Sequence, residues 1–285
     1  MGEQHQGFGD RLASAIGLTS PLCAGIDPSS ALLGQWGLTD DAAGLATMAR
    51  TVVAASAGVA AAIKPQVAFF ERFGSAGYAV LEEVIALASD AGLLVVIDAK
   101  RGDIGTTMEA YGEAWLDDRS SLAADALTVT SYLGIDAMEP VFDLARASGR
   151  GLFVVVASSN PEGRALQEAK ISPTMSIEQS LLADLGRRNR AEIASTQCAF
   201  GSLGAVVGAT RSAGQLDLAS LAGPYLVPGV GAQGATPEDV ATLFAHCSPR
   251  SVLVNASRSI LSAGPDEGAV RAAAESLATE LTRAL

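Results

Sequence analysis

The chain has 285 residues, of which 49% are hydrophobic and 18% charged, which excludes a disordered chain and is enough for one (β/α)8 barrel. Its formal net charge of −12 repels a phosphodiester backbone, so no nucleic-acid partner is expected, and a small anionic ligand would need a local pocket of cations and backbone N–H groups. The three cysteines, Cys23, Cys198 and Cys247, have no C-x-x-C spacing, which argues against a disulfide framework and fits a reducing cytoplasm. Two histidines, His5 and His246, are too far apart for a His-based metal site and are expected at the surface. The start, MGEQHQGFGDRLASAIG, lacks the basic and apolar regions of a signal peptide, and no apolar run is long enough to span a bilayer, so no membrane partner is expected.

Strand-like and helix-like segments alternate along the chain. The first apolar run is 22–27 (LCAGID), followed by a helical pattern over 40–58 and a second run at 59–64 (VAAAIK). A helix over 78–92 ends on Gly92, a C-cap residue, before the run 93–100 (LLVVIDAK). Further runs occupy 126–131 (ALTVTS) and 152–159 (LFVVVASS). Residues 160–200 are longer than one crossover requires, and they predict an extra loop with a helix over 176–195, forming a lid or insertion over the strand ends. The runs 204–210 (GAVVGAT), 224–229 (PYLVPG) and 252–257 (VLVNAS) complete a set of eight. Between the last two, 236–247 predicts a helix with Thr236 as N-cap and Pro237 at its first position, and a final helix closes the chain.

Continuous apolar runs suit parallel strands buried on both faces, and eight alternating units predict a (β/α)8 TIM barrel with an insertion after strand 5. No repeat or linker interrupts residues 1–285, so a single domain is expected.

Barrel enzymes carry their reactive groups where strands run into the following loops. That rule selects Asp27, Lys64, Asp98, Lys100, Asp103, Thr130, Ser131, Ser158, Asn160, Thr210, Gly229, Asn255 and Arg258. The densest group is D98-A-K100-R-G-D103. Asp98 and Lys100 are two apart on one strand and point to the same side, with Lys64 on the neighbouring strand. The expectation is an alternating array of Lys64, Asp98, Lys100 and Asp103 in which the carboxylates keep both lysines protonated. A second group, PGVGAQG (228–234, with Gln233 and Gly234) and NASR (255–258, with Asn255, Ser257 and Arg258), has the glycines and arginine of a phosphate site after strands seven and eight.

The stretch VVIDAKRGDIGTT (95–107) resembles the active-site signature of the orotidine 5′-phosphate decarboxylase family, and the resemblance extends to CAGIDP, AIKPQ, VPGVGAQG and NASR. It implies a cytoplasmic, cofactor-free enzyme of pyrimidine biosynthesis that holds no metal and converts a nucleotide, OMP, to UMP. In that reading Asp27 and Lys64 hold the ribose hydroxyls, Asp98 sits against the substrate carboxylate, and Lys100 delivers a proton to C6. Ser158 or its neighbour Ser159 bonds the pyrimidine, Gln233 bridges base and phosphate, and Arg258 with its neighbouring backbone binds the phosphate. Asp103 and Thr107 reach the partner's site in a homodimer.

Two other readings remain. Sister barrels such as 3-keto-L-gulonate 6-phosphate decarboxylase and hexulose-phosphate synthase share D-x-K-x-x-D but use Mg2+ and want a carboxylate where this chain has Lys64. A non-catalytic barrel would bind the nucleotide without turnover.

Overall fold

The computed structural model describes residues 6–231 and 233–285; His5 lies outside them, and His246 is exposed as expected. Eight parallel strands close into a barrel: β1 (Leu22–Ile26), β2 (Ala62–Pro65), β3 (Leu94–Arg101), β4 (Ala126–Val129), β5 (Gly151–Ala157), β6 (Leu203–Val207), β7 (Tyr225–Pro228) and β8 (Val252–Ala256). Each strand pairs with its neighbours in chain order, and β1 closes on β8 with Leu22 opposite Val254. Nearly every strand residue is buried, because one face meets the outer helices and the other meets the barrel interior.

Local chemistry sets the boundaries. The second strand starts at Ala62 rather than at Val59, because the N–H groups of Val59 and Ala60 both donate to Ser56 O and close the preceding helix, Ala42–Ser56. The helix Gly74–Asp90 starts earlier than its apolar pattern indicates and stops where Gly92 turns left-handed, at φ 74°. Thr236 and Asp239 form a reciprocal capping box at the start of Pro237–Leu243.

Residues 160–200 divide into two parts. The helix Ile177–Thr196, capped by Ser176, is no lid: it buries Leu182 and Leu185 on the outside of the barrel and is the crossover that a parallel β5–β6 pair requires. Only the preceding stretch stands at the C-terminal mouth. It holds a 3-10 turn (Pro161–Gly163), a short helix (Arg164–Gln167) and an antiparallel pair, Lys170–Ser172 with Met175–Ser176.

The opposite end is plugged by the helix Phe8–Leu18, which the strand-and-helix pattern above leaves out. Phe8, Leu12 and Ile16 recur every four residues and join Val96, Phe153, Leu226 and Leu253 in an interior cluster. The Phe8 ring meets Phe153 edge-on at 5.8 Å and lies against Gly151, where a Cβ would come within 2.1 Å of it. Arg11 pins the helix to Asp125 at 2.6 Å. This floor closes one end of the barrel interior among the described residues and leaves the cavity at the end where the strands finish. Phe8→Ala removes a fully buried ring and should destabilise the fold by about 3–5 kcal/mol, read as a lower urea midpoint with unchanged m-value; an unchanged midpoint would show that the helix is not part of the core.

Candidate active site

The site is built around one carboxylate on β3. Asp98 is 7% exposed and accepts four hydrogen bonds, two on each oxygen. Lys64 Nζ (2.7 Å) and Gln66 Nε2 (3.0 Å) donate to Oδ2; Lys100 Nζ (2.5 Å) and Thr128 Oγ1 (3.0 Å) donate to Oδ1. Burial alone would raise the Asp98 pKa, but the charges of Lys64 and Lys100 and their hydrogen bonds outweigh it and hold the carboxyl well below its usual range. Burial likewise works against the Lys64 ammonium, and the carboxylates of Asp98 and Asp27 overcome it, raising the pKa above the ordinary lysine value. Beneath them, burial pushes the Cys23 thiol up to about 12, so it stays neutral.

Regular strand alternation does not bring Asp98 and Lys100 together. The β3–β4 register runs Ile97 opposite Leu127 and resumes at Arg101 opposite Val129, so β3 spends four steps where β4 spends two. Lys100 lies in this bulge with φ 49°, a left-handed conformation that costs a non-glycine residue about 1–3 kcal/mol. It is held there at both ends: its N–H donates to Thr128 Oγ1 at 2.9 Å and its Nζ donates to Asp98.

These groups open into a cavity of about 220 Å3. Lys64, Asp98, Lys100, Thr128, Ser158, Ser159, Asn160 and Asn255 form its polar side, and Val155, Val206, Leu226 and Pro228 its apolar side. A larger hollow of about 850 Å3 beside the N-terminal helix shares no residue with the ion-pair network. At the rim, Asp27 Oδ1, Asn255 Oδ1 and Ser257 Oγ are buried without a hydrogen-bond partner among the described residues. Buried oxygens of this kind call for donors from a ligand. Gly25 allows the crowding, since a Cβ there would lie 1.9 Å from Ser257 Oγ.

The remaining residues selected from sequence lie around this centre. Gly229, Gly231 and Gly234 have φ of 113°, 73° and 90°, so the turn after β7 requires glycine. Gln233 and Gly234 are exposed and border a neighbouring hollow with Thr210, Arg211 and Asp239 rather than the ion-pair cavity. Arg258 is exposed and opens the short helix Arg258–Leu261 after β8. Asp103 does not join the array: it forms no ion pair with Lys64 or Lys100 in this chain, and its Oδ1 accepts from Ile104 N–H at 2.8 Å. The second carboxylate acting on Lys64 is Asp27 instead. Thr107 is exposed on the helix Gly105–Leu116.

Three residues of the site were not selected from sequence: Gln66, Thr128 and Gln167. Gln66 bridges directly to Asp98 along β2 and β3. Thr128 points inward from the middle of β4, whereas Thr130, which the strand-end rule chose, donates its N–H to Arg101 O beside the mouth. Gln167 comes from the short insertion helix and bonds Ser158 twice.

A family model described as orotidine 5′-phosphate decarboxylase / HUMPS matches residues 20–273. The orotidine 5′-phosphate decarboxylase of Streptomyces coelicolor is 50% identical over 282 residues, 98% of each chain, and that of Corynebacterium efficiens is 47% identical over 278 residues, 96% of this chain and 97% of the other. Among solved structures, a Streptomyces avermitilis protein assigned as orotidine 5′-phosphate decarboxylase has a TM-score of 0.91 at 49% identity, covering 98% of this chain and 96% of that one. Leishmania donovani OMP decarboxylase has a TM-score of 0.77 at 29% identity, covering 98% and 99%. A barrel with this charge cluster at its mouth, matched along almost its whole length, belongs to the orotidine 5′-phosphate decarboxylase / HUMPS family.

Proposed function

We propose that the chain, working as one barrel domain, decarboxylates orotidine 5′-phosphate to UMP and carbon dioxide in pyrimidine biosynthesis. The observation that carries this reading is the buried Asp98 held between two lysines, one of which faces an open cavity. Breaking the bond between C6 and the carboxylate leaves its electron pair on C6, in the plane of the ring, where the π-system cannot delocalise it. A fixed ammonium beside C6 stabilises that charge, and Lys100 is the lysine with a half-exposed side chain. Its proton then passes to C6 as general acid. Asp98 sits against the substrate carboxylate, keeps Lys64 charged and accepts a hydrogen bond from Lys100 Nζ.

The rest of the cavity suits the nucleotide. Val155, Val206, Leu226 and Pro228 offer an apolar bed for the ring, and Ser158 or its neighbour Ser159 bonds its edge. Asp27, with its unpaired Oδ1, and Lys64 take the ribose hydroxyls. Gly234, Asn255, Ser257 and Arg258 surround the phosphate, with Gln233 bridging it to the base. A metal-dependent sister reaction is opposed by Lys64 itself, whose charge sits at the end of β2 where such a site wants a carboxylate. The reading requires no cofactor.

We place the enzyme in the cytoplasm as a homodimer whose sites are shared, with Asp103 and Thr107 completing the partner's cavity. Support comes from the loops after β3 and β4, which touch where Gly102 lies against Thr130 and which leave Ile104, Tyr132 and Leu133 exposed.

Purified protein should consume orotidylate, followed by absorbance, at the same rate with and without EDTA; Lys100→Ala should lower kcat by about 10^4-fold or more while still binding UMP. UMP binding without any turnover by the wild type would reject the enzyme reading. Mixing inactive Lys100→Ala and Asp103→Ala proteins should restore about a quarter of wild-type activity through hybrid dimers with one intact site; no recovery after subunit exchange would show that the sites are not shared.

The charge network also sets a pH window. The Asp98 pKa is lowered on folding, so its contribution to stability is present above the unfolded value, about 3.9, and is lost as pH falls towards the folded value. The Lys64 pKa is raised, so its contribution is present below about 10.4 and is lost as pH rises through the folded value. The difference in urea midpoint between wild type and Asp98→Asn should therefore be constant near neutrality and shrink below about pH 4; a difference independent of pH would place the stabilisation elsewhere.

A further inference from the structure

Ser158 is held by a group from its own chain. Its N–H donates to Gln167 Oε1 at 3.0 Å, and its Oγ accepts from Gln167 Nε2 at 2.8 Å. A primary carboxamide thus presents one acceptor and one adjacent donor to one residue of the cavity wall. The O4 and N3–H edge of a pyrimidine-dione presents the same pair in the same cis-amide arrangement. A backbone N–H has one hydrogen to give, so Gln167 and a base edge cannot both take it.

From this geometry we infer that Gln167 is a tethered stand-in for the base, occupying the pyrimidine-recognition atoms of Ser158 until the substrate displaces it. The inference rests on the decarboxylase reading of the cavity with Ser158, of the two serines that line it, at the base edge, and adds a residue that sets affinity for the base. The surroundings support a competitor held in place. Arg211, with a side chain 3% exposed on the loop after β6, bonds Glu168 at 2.9 Å and Glu178 at 2.6 Å, and so fixes the insertion on both sides of its hairpin. Gly163 leaves the room: a Cβ there would lie 2.7 Å from Ser158 Oγ and 2.9 Å from Gln167 Nε2. Gln167 is only half-buried, so its side chain can rotate out towards solvent while Glu168 stays clamped. Apparent affinity for the base falls in proportion to the time Ser158 spends occupied.

The test is calorimetric titration of UMP and of ribose 5-phosphate into wild type, Gln167→Leu and Gln167→Ala. Leu keeps the volume without the hydrogen bonds, and Ala removes both. The expected result is UMP binding tighter by about 3–10-fold in both variants. Ribose 5-phosphate, which has no base, should bind all three proteins equally. UMP affinity that is unchanged or weaker in both variants overturns the inference while wild-type turnover of orotidylate keeps the decarboxylase reading intact. Equal tightening of both ligands also overturns it, because a general loosening of the insertion would act on either. A wild type that neither binds UMP nor consumes orotidylate overturns the decarboxylase reading, and the stand-in role with it.

Discussion

The site depends on a single buried carboxylate that is shared by two ammonium groups, one buried and one half-exposed. Burying Asp98 alone would be costly, and so would burying Lys64. Each is tolerated because the other is there, and because Gln66 and Thr128 satisfy the lone pairs that remain. Removing either partner would leave the other buried with weaker compensation, from Lys100 for Asp98 and from Asp27 for Lys64. The cluster is therefore more than an ion pair added to a finished barrel. It constrains which residues can end β2, β3 and β4.

That constraint explains the irregular backbone of β3. A regular strand would carry Lys100 onward in the pleat. The bulge and its left-handed φ turn the lysine back over Asp98, at an energetic cost that the surrounding core offsets. The core is well placed for this, since the interior cluster runs from the floor helix up through Val96, Phe153 and Leu226, directly below the charges. Leu226 and Val206 belong both to that cluster and to the cavity wall. The packing that stabilises the barrel thus also fixes the surface on which a ligand rests.

Much of this was legible in the sequence, for identifiable reasons. Strands buried on both faces are continuous apolar runs, so all eight were visible, with errors confined to their ends, as at Val59. Lys64, Asp98 and Lys100 were visible because charged residues at the ends of such runs have few structural reasons to be there. Thr128 was not, because a polar residue inside an apolar strand gives no sign of which face it occupies until the barrel closes. The strand-end rule picked Thr130 instead. Asp103 was grouped with the lysines by proximity in sequence; within one chain its Oδ1 accepts from Ile104 N–H and the lysines pair with Asp98. Gln167 lies in an insertion with no period to read, and its bond to Ser158 depends on a fold that the chain reveals only in three dimensions.

The two ends of the cavity are built differently, and the difference bears on how binding could serve the chemistry. The charge cluster is carried by strands locked into the barrel. Most residues proposed for the phosphate lie beyond the strands: Gln233 and Gly234 in a turn that needs three left-handed glycines, Ser257 just after β8, and Arg258, exposed, at the start of a short helix; Asn255 alone sits on a strand. Contacts with a phosphate can rearrange such loops at low cost, but they have little power to move Asp98 or Lys100. Binding energy gained at the phosphate is then available for closing the mouth and excluding water, not for assembling charges that are already assembled. In the proposed mechanism, excluding water would strengthen the interaction between the Lys100 ammonium and a carbanion at C6 without any change in their distance. The same division accounts for the position of the insertion, which reaches Ser158 from the loop side of the cavity and leaves the strand-borne cluster untouched.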